Sequence, residues 1–262
     1  NGNGLVGPYA GDQATVTVTG VGSAWNNSGD LWVGYDGTGT LNVTNGGQLT
    51  SATGTLGVSA GSIGNAVVSG AGSSWQNGGR ITLGLSGTGN LRIEAGATVS
   101  SDDAIVGEST LGNAVITGAG SSWTNAGQLT IGSYAAGTLR IEDGATVTSN
   151  QGYIGAGPGS DGNVIVTGAG SSWQVSAYNI IVGHNATGSL AIENGALVHA
   201  GGGVLLGTFA GSSGTLTMQG TAADRAVLET SGIQAGLGTV NLVLDGALLR
   251  ATADTGAFFS GF

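Results

Sequence analysis

The segment Gly70-Ala71-Gly72-Ser73-Ser74-Trp75 returns unchanged at Gly118–Trp123 and Gly168–Trp173, and in shortened form at Gly22–Trp25. The four tryptophans therefore stand at positions 25, 75, 123 and 173, a period of about 50 residues. A fixed period of this size is typical of stacked repeats, in which each unit buries its apolar face against its neighbours. The sequence thus predicts an elongated solenoid.

A second landmark divides this period in two. Short apolar runs close with a glycine, and successive closing glycines are 23 to 28 residues apart; they are Gly34, Gly57, Gly84, Gly107, Gly132, Gly155, Gly183 and Gly207. Each period is therefore a pair of rungs of about 25 residues, and the longer rung carries the tryptophan. A chain of 262 residues holds about ten such rungs.

Three short runs align within every rung. One is typified by Leu41-Asn42-Val43, one centres on Trp25 or Leu49, and one ends at Val33 or Leu56. These runs are rich in β-branched and aromatic residues and are bounded by turn-forming residues. None sustains the 3.6-residue apolar period of a helix. We predict an all-β, right-handed parallel β-helix of about ten three-strand rungs, its hand following the usual crossover preference.

Alternation within the runs sets the register. Leu91 and Ile93 flank Arg92, and Leu139 and Ile141 flank Arg140. Successive side chains of a strand face opposite sides, and arginine is almost never buried without a partner. The aliphatic residues are therefore predicted to face the core and the arginines to face solvent, since a slip of one residue would bury both arginines.

Composition excludes several classes of protein. The net charge of −10, with only five Lys and Arg, argues against nucleic acids and anionic membrane surfaces as partners. The absence of cysteine excludes disulfides and thiolate metal sites. No apolar run reaches 18 residues, so no membrane-spanning helix is predicted. No signal-peptide pattern opens the chain, so we expect any such signal to have been removed or to lie outside this sequence. We predict no cofactor and no metal.

The paired rung, exemplified by 37–51 together with 55–84, resembles the repeat of passenger domains of bacterial type V autotransporters, a repeat also seen in PEP-CTERM-associated surface proteins. The resemblance covers four tandem copies in 11–210 and is carried by the Ser-Ser-Trp and Gly-Thr-Leu blocks. The segment 211–262, above all 236–262, is similar to the rungs that precede an outer-membrane barrel. The resemblance implies one domain over 1–262, a Gram-negative cell-surface or extracellular location, and tethering of the full-length protein to a barrel.

The tryptophans of the repeat are candidates for carbohydrate binding, but a core role is favoured. Trp25, Trp75, Trp123 and Trp173 alternate along the stack with Leu49, Val99, Val147 and Val198. A position that alternates tryptophan with aliphatic residues is typical of a core.

Trp32 differs, because it lies between Leu31 and Val33, which belong to the core face. It therefore points outward, and it begins a column formed by the third run of each rung; we call the sheet predicted from these runs sheet A, and the column the sheet A column: Trp32, Thr55, Thr82, Ile105, Thr130, Tyr153, Ile181 and Leu205. This column is too apolar for an ordinary solvated face. Either a loop covers it, or it contacts a partner.

A rival stripe holds Arg92 and Arg140 between Val67, Val115 and Ile165. It could bind an acidic partner. Alternatively, each arginine lies across its apolar neighbours and forms a weak surface pair with Glu94 or Glu142.

Catalysis has little support. Asp102 and Asp103 share a turn, but no acid repeats one rung away, and the only histidines are His184 and His199. No nucleophile elbow, zinc-binding helix motif or phosphate loop is present.

We predict no enzyme and no catalytic residue, but a structural or adhesive rod that binds a host or bacterial surface glycan, a protein, or itself. The partner-binding candidates are Trp32, Ile105, Tyr153, Ile181, Leu205, Arg92 and Arg140. The alternatives are a polysaccharide-degrading or polysaccharide-binding β-helix and, more weakly, ice binding through Thr15–Thr19, which is not repeated along the stack.

Overall fold

The computed structural model describes residues 2–254 and 256–262, which form 31 strands and no helix. No segment of this described chain is a helix long and apolar enough to cross a membrane. Every strand pairs in parallel with the strands one rung before and after it, except the strands at the two ends of each sheet, which pair on one side only; this gives three long parallel sheets. An all-β parallel solenoid with about ten three-strand rungs is therefore confirmed, whereas its right hand stays a prediction.

Sheet A contains the shortest strands. They are β1 (Gly4–Val6), β4 (Leu31–Val33), β7 (Gly54–Leu56), β10 (Ile81–Leu83), β13 (Ala104–Val106), β16 (Gln128–Ile131), β19 (Gln151–Ile154), β22 (Asn179–Val182), β25 (Gly203–Leu206), β28 (Ile233–Ala235) and β31 (Phe259–Ser260).

Sheet B follows sheet A within each rung. Its strands are β2 (Gln13–Thr19), β5 (Thr38–Thr44), β8 (Ile63–Ser69), β11 (Thr88–Glu94), β14 (Gly112–Thr117), β17 (Ala136–Glu142), β20 (Asp161–Thr167), β23 (Thr187–Glu193), β26 (Ser213–Gln219) and β29 (Thr239–Asp245).

Sheet C completes the rung. Its strands are β3 (Ala24–Asn26), β6 (Gln48–Ser51), β9 (Ser74–Asn77), β12 (Thr98–Ser101), β15 (Ser122–Asn125), β18 (Thr146–Ser149), β21 (Ser172–Val175), β24 (Leu197–Ala200), β27 (Ala226–Thr230) and β30 (Ala247–Ala251).

The register agrees with the alternation of the sequence. Arg92 pairs with Val67 on one side and Val115 on the other, and it is exposed, whereas Leu91 and Ile93 are buried. The prediction that the arginines face solvent is therefore confirmed. A slip of one residue would exchange the two faces of β11 and bury its charge.

The repeated tryptophans form the widest layer of the core. Trp75, Trp123 and Trp173 are fully buried, and each pairs with a strand on both sides. Burial of an indole removes roughly 150–250 Å² from water, which stabilises the fold by roughly 4–6 kcal/mol per ring. Trp25 is only half-buried, so the prediction that all four are buried is wrong for this residue. The reason is that β3 is the edge strand of sheet C and pairs only with β6.

The indole N–H groups explain a polar position inside the core. The Nε1 of Trp75 donates to the hydroxyl of Ser51 in the preceding rung at 2.9 Å, and that hydroxyl donates to the amide oxygen of Asn77 at 2.7 Å. Ser101 and Ser149 accept in the same way from Trp123 and Trp173. In the next rung that lacks a tryptophan, the residue equivalent to these serines is Ala200. The strand of sheet C that follows it, β27, contains no tryptophan. Each of the three buried indoles thus has a hydroxyl acceptor in the preceding rung, as a buried donor requires.

Room for the indoles is made in sheet A. The first core position of its strands is small in the rungs that contain a tryptophan and large in the rungs between; the small residues are Gly4, Gly54, Ala104 and Gly152, and the large ones are Leu31, Ile81, Leu129 and Ile180. A Cβ added to Gly54 would lie 2.5 Å from Cζ2 of Trp75, and one added to Gly152 would lie 2.7 Å from the ring of Trp173. Close packing of a core leaves no space for such an atom.

Substitution of Gly54 by alanine tests this fit. We expect Gly54→Ala to lower the free energy of unfolding by about 1–3 kcal/mol, because the methyl group displaces the Trp75 ring. The matched control is Gly78→Ala, whose added Cβ would meet nothing closer than 3.8 Å; it should stay within about 0.5 kcal/mol of the parent chain. Urea unfolding followed by tryptophan fluorescence measures both changes, and equal stability of the two variants would contradict the fit.

The turn between sheets B and C requires a left-handed residue in alternate rungs. Asn45, Ala95, Asp143 and Asn194 have φ between 53° and 56°. The Nδ2 atoms of Asn45 and Asn194 donate to threonine hydroxyls of the preceding rung at 3.1 Å, and an Oδ of Asp143 accepts from another at 3.0 Å. Ala95 has no such side chain, and a left-handed alanine costs about 1 kcal/mol or more.

We expect Ala95→Asn to raise the free energy of unfolding by about 1 kcal/mol, since asparagine tolerates this conformation and can reach Ser69 of the preceding rung. Ala119→Asn is the control, because Ala119 is exposed and does not have a positive φ. Thermal unfolding of both variants measures the effect. A melting temperature of Ala95→Asn at or below that of the parent chain would contradict the assignment of strain to this turn.

Candidate functional site

The strand register places the sheet A column in one line along the rod. Trp32 pairs with Thr55, Thr55 with Thr82, Thr82 with Ile105, and Ile105 with Thr130. The line continues through Tyr153, Ile181 and Leu205 to Gln234, and Leu5 precedes Trp32. Each of these residues lies between inward neighbours in its strand, so its side chain faces away from the core.

The column is less exposed than the sequence suggests. Thr55 and Thr82 are each 9% exposed, Thr130 is 3% exposed and Ile181 is 7% exposed. Trp32, Ile105, Tyr153 and Leu205 are half-buried. Side chains from the flanking turns contact the column on both sides, as Gln128 does at Thr130 and His184 does at Tyr153. The column is therefore the floor of a groove, which we call the sheet A groove.

One side of the groove is formed by the residues that lead into each strand of sheet A. We call this side the entry wall; its members are Asp30, Thr53, Arg80, Asp103, Gln128, Gln151 and Asn179. Two of its amides lie over the floor. Nε2 of Gln128 donates to the hydroxyl of Thr130 at 2.7 Å, and Nε2 of Gln151 donates to the hydroxyl of Tyr153 at 3.2 Å.

The opposite side is formed by the residues that follow the closing glycines. We call it the exit wall; its members are Tyr35, Val58, Leu85, Glu108, Ser133, Ala156, His184 and Thr208. Aromatic contacts join this wall to the floor. The ring centroids of Trp32 and Tyr35 are 5.7 Å apart, and those of Tyr153 and His184 are 5.3 Å apart.

An aromatic platform extends these contacts across successive rungs. His184 lies edge-on between Tyr153 and Phe209, and its centroid is 4.9 Å from that of Phe209. Phe209 is largely exposed, and Nδ1 of His184 is a buried nitrogen without a hydrogen-bond partner. Burial lowers the pKa of His184 below its ordinary value of 6.5. The ring is therefore held neutral at physiological pH.

Three hollows open along the groove. A hollow of about 100 Å³ lies between Arg80, Asp103 and Gln128 of the entry wall and Ile105 of the floor. Two larger hollows, of about 270 Å³ and 400 Å³, lie on either side of Leu205 and Gln234. The wider one is lined on the exit side by Thr208 and Leu237. Of these three hollows, the two with the larger volumes lie near the C-terminal rungs.

The charge of the walls is weakly acidic. Asp30, Asp103 and Glu108 carry carboxylates, and Arg80 is the one cation of the two walls. Arg80 lies 4.0 Å from Asp103, and both side chains are partly solvated, so this ion pair contributes little to stability.

The arginines of the rival stripe are paired locally. Nε of Arg92 lies 2.5 Å from a carboxylate oxygen of Glu94, and Arg140 pairs in the same way with Glu142. Both arginines are exposed and lie on the outer face of sheet B, remote in the rung from the sheet A column. Their weak surface pairing is the alternative that the sequence left open, and their role in binding stays a prediction.

A charged cluster on sheet C has no counterpart in the sequence analysis. Glu229 accepts from Arg250 at 2.9 Å and lies 3.4 Å from Nδ1 of His199. These three residues are partners in successive rungs, and only the strand register reveals it. The hydrogen bond from Arg250 lowers the pKa of Glu229. The cluster is a partly exposed ion-pair network on the outer face of sheet C.

The remaining candidates for chemistry are dispersed. Asp102 and Asp103 lie in the turn between β12 and β13, as the sequence indicates, and an Oδ of Asp103 accepts from the backbone N–H of Gln128 at 2.8 Å. His184 lies on the groove, whereas His199 lies on sheet C. Residues 2–254 and 256–262 contain no group of three or more His, Asp or Glu side chains that could hold a metal ion.

Comparison with known proteins adds little to this description. No protein-family model matches the chain, and no curated protein matches it either. A solved structure to which it is similar is that of a TibC-catalysed, hyper-glycosylated TibA55-350 fragment, at 15% identity and a TM-score of 0.27, with all of both chains covered. At that TM-score the likeness carries no argument, and the fold rests on the strand pairing itself.

The neutral state of His184 predicts a pH dependence of stability. Because its pKa is lowered in the folded protein, the unfolded chain takes up a proton first as the pH falls below about 6.5. The contribution of the neutral ring is therefore complete above that pH and declines below it. We expect the parent chain to lose more free energy of unfolding between pH 8 and pH 5 than His184→Phe, because carboxylate effects are common to both. Urea unfolding at several pH values measures the difference, and parallel pH profiles would contradict it.

Proposed function

We propose that this chain is a non-enzymatic structural or adhesive rod, displayed on the surface of a Gram-negative bacterium as part of an autotransporter passenger. The observation that carries the proposal is the sheet A groove. Its floor of aromatic and aliphatic side chains runs along successive rungs, and Trp32, Ile105, Tyr153 and Leu205 in it stay partly open to solvent. A solenoid is well suited to such a role, because stacking repeats extends one contact surface along the rod.

Composition supports this proposal. An acidic, cysteine-free chain with few charged residues is suited to secretion and to an exposed location, and the repeat resembles that of autotransporter passengers. On this proposal the partner is a host or bacterial glycan, a surface protein or a second rod, and the full-length protein is held by an outer-membrane barrel.

One observation favours a second candidate function, that of a polysaccharide-degrading protein. Asp103 and Glu108 stand on opposite walls of the groove in the same rung, on either side of Ile105. Glycoside hydrolases use two carboxylates that flank the bond they cleave. Asp103, however, is already engaged by Arg80 and by the backbone of Gln128. Release of reducing ends from a polysaccharide, and its loss in Asp103→Asn, would establish this second function instead.

Substitution of the groove floor tests the adhesive function. We expect the combined change of Trp32, Ile105 and Tyr153 to serine to leave the fold intact, because these side chains face away from the core and are half-buried. Beads coated with the variant should lose adhesion to bacterial or host cells and should not aggregate, since the floor supplies the apolar contact area. Adhesion and aggregation are scored by microscopy and light scattering.

The control is the double variant Arg92→Ala and Arg140→Ala, which alters the outer face of sheet B only and should adhere normally. Circular dichroism and thermal unfolding verify that both variants are folded. If the folded triple variant adheres normally and the arginine variant loses adhesion, the adhesive surface is the outer face of sheet B and not the sheet A groove. Absence of adhesion and aggregation in the parent chain would overturn the adhesive proposal.

A further inference from the structure

We propose that the sheet A groove binds a neutral polysaccharide chain laid along the axis of the rod, with its main contacts at the aromatic platform of Tyr153, His184 and Phe209. This inference rests on the proposed function in taking the groove as the contact surface. It deepens that function by naming one class of partner in place of the three that the sequence leaves open.

The shape of the groove argues against a second rod as its occupant. The floor is one side chain wide in each rung and is recessed: Thr130, which accepts from the amide of Gln128, is only 3% exposed. Two copies of the same concave surface cannot bring their floors into contact. A single thin, extended chain can reach the floor between the walls.

The backbone argues against an extended peptide. Strands of sheet A pair with sheet A strands of the neighbouring rungs, so their main-chain N–H and C=O groups point along the rod and are already bonded. Peptides that dock on sheets gain their affinity from main-chain hydrogen bonds to a free edge. The groove offers an occupant side chains alone, and the occupant must therefore be recognised through ring faces, hydroxyls and amides.

The side chains of the groove have the chemistry that a sugar needs. A sugar ring has apolar C–H faces and a rim of hydroxyls. Tyr153 and Phe209 offer aromatic surface to the faces, while the hydroxyl of Thr130 and the amides of Gln128 and Gln151 lie beside Tyr153. An amide that donates its N–H to the floor still carries a carbonyl oxygen that accepts from a sugar hydroxyl. A small number of polar groups around apolar surface is typical of ligand sites.

Charge selects a neutral chain over an anionic one. The walls carry Asp30, Asp103 and Glu108 against Arg80 alone, and the whole chain has a net charge of −10. A polyuronate or a sulfated chain would meet like charge along the groove, which costs affinity and slows association. Neutral hydroxyls, in contrast, can donate to these carboxylates.

The C-terminal part of the groove is the main contact region. The hollows of about 270 Å³ and 400 Å³ beside Leu205 lie two rungs beyond Tyr153, and Thr208, which precedes Phe209 in the chain, lines the larger of them. Partly exposed aromatic surface and open volume thus occur in the same stretch of the groove.

The test is electrophoresis of the folded chain in native gels that contain dextran, galactomannan, hydroxyethyl cellulose or xylan, with alginate as the anionic comparison. We expect at least one neutral polysaccharide to retard the parent chain and alginate not to. The platform variant Tyr153→Ala with Phe209→Ala should bind about tenfold more weakly or worse, since aromatic anchors dominate binding energy. The matched control, Arg92→Ala with Arg140→Ala, should bind as the parent chain does.

A second variant tests the charge argument separately. Asp103→Lys with Glu108→Lys reverses the charge of the walls beside Ile105 and leaves the platform in place. We expect it to bind alginate, and to bind the neutral chain within about threefold of the parent, because steric access and aromatic contacts are unchanged. Circular dichroism verifies the fold of each variant.

The outcomes separate this inference from the adhesive function. Retardation by none of the four neutral polysaccharides, stronger retardation by alginate than by the neutral chains, or unchanged binding by the folded platform variant would each overturn the inference. If adhesion by beads still depended on the floor in such a case, the groove would bind a protein, and the adhesive function would stand. Concentration-dependent dimers in light scattering that the floor variant abolishes would instead favour a second copy of this chain.

Discussion

Hydrogen bonding between rungs is the constraint on which the rest of the structure depends. In each sheet the main-chain groups of one rung bond to the rungs before and after it, so that all three sheets extend along the same axis. A parallel strand pair in register places identical positions of the repeat directly above one another. Each side chain must therefore pack with the side chains at the same position of the neighbouring rungs. The sequence is constrained along each column of stacked residues as well as along each strand.

The core shows how this column-wise constraint is met. A tryptophan in one rung requires a small residue in the sheet A strand of its own rung and a hydroxyl in the sheet C strand of the rung before it. Gly54 and Ser51 meet both needs for Trp75, and Gly152 and Ser149 do so for Trp173. The period of 50 residues is thus the repeat of a two-rung packing unit, in which a wide rung and a narrow rung alternate. An indole without its acceptor would leave a buried donor unpaired, at a cost of about 1–3 kcal/mol.

The same constraint gives the outer surface its character. Because the sheets use their main-chain groups internally, the faces of the rod are made of side chains alone. On sheet B the exposed arginines are neutralised within their own strands by Glu94 and Glu142. On sheet A the turns on both sides rise above the floor and enclose aromatic and aliphatic groups. The proposed binding of a neutral polysaccharide follows from this difference between the faces, since only sheet A combines concavity, ring surface and amides.

The sequence by itself determined the solenoid, its rung length, its number of rungs and the face to which each strand residue points. Those properties are periodic, and periodicity can be read along one chain without coordinates. Leu91 and Leu139, for example, face the core, so Arg92 and Arg140, which follow them in the strand, face solvent. The outward line from Trp32 to Leu205 followed from the same alternation. The tertiary structure alone decided that this line is the floor of a groove, that His184 lies between Tyr153 and Phe209, and that His199, Glu229 and Arg250 meet on sheet C. These features depend on how far the turn residues of each rung rise and on contacts between successive rungs. Turn lengths differ from rung to rung, so no fixed spacing in the sequence encodes them.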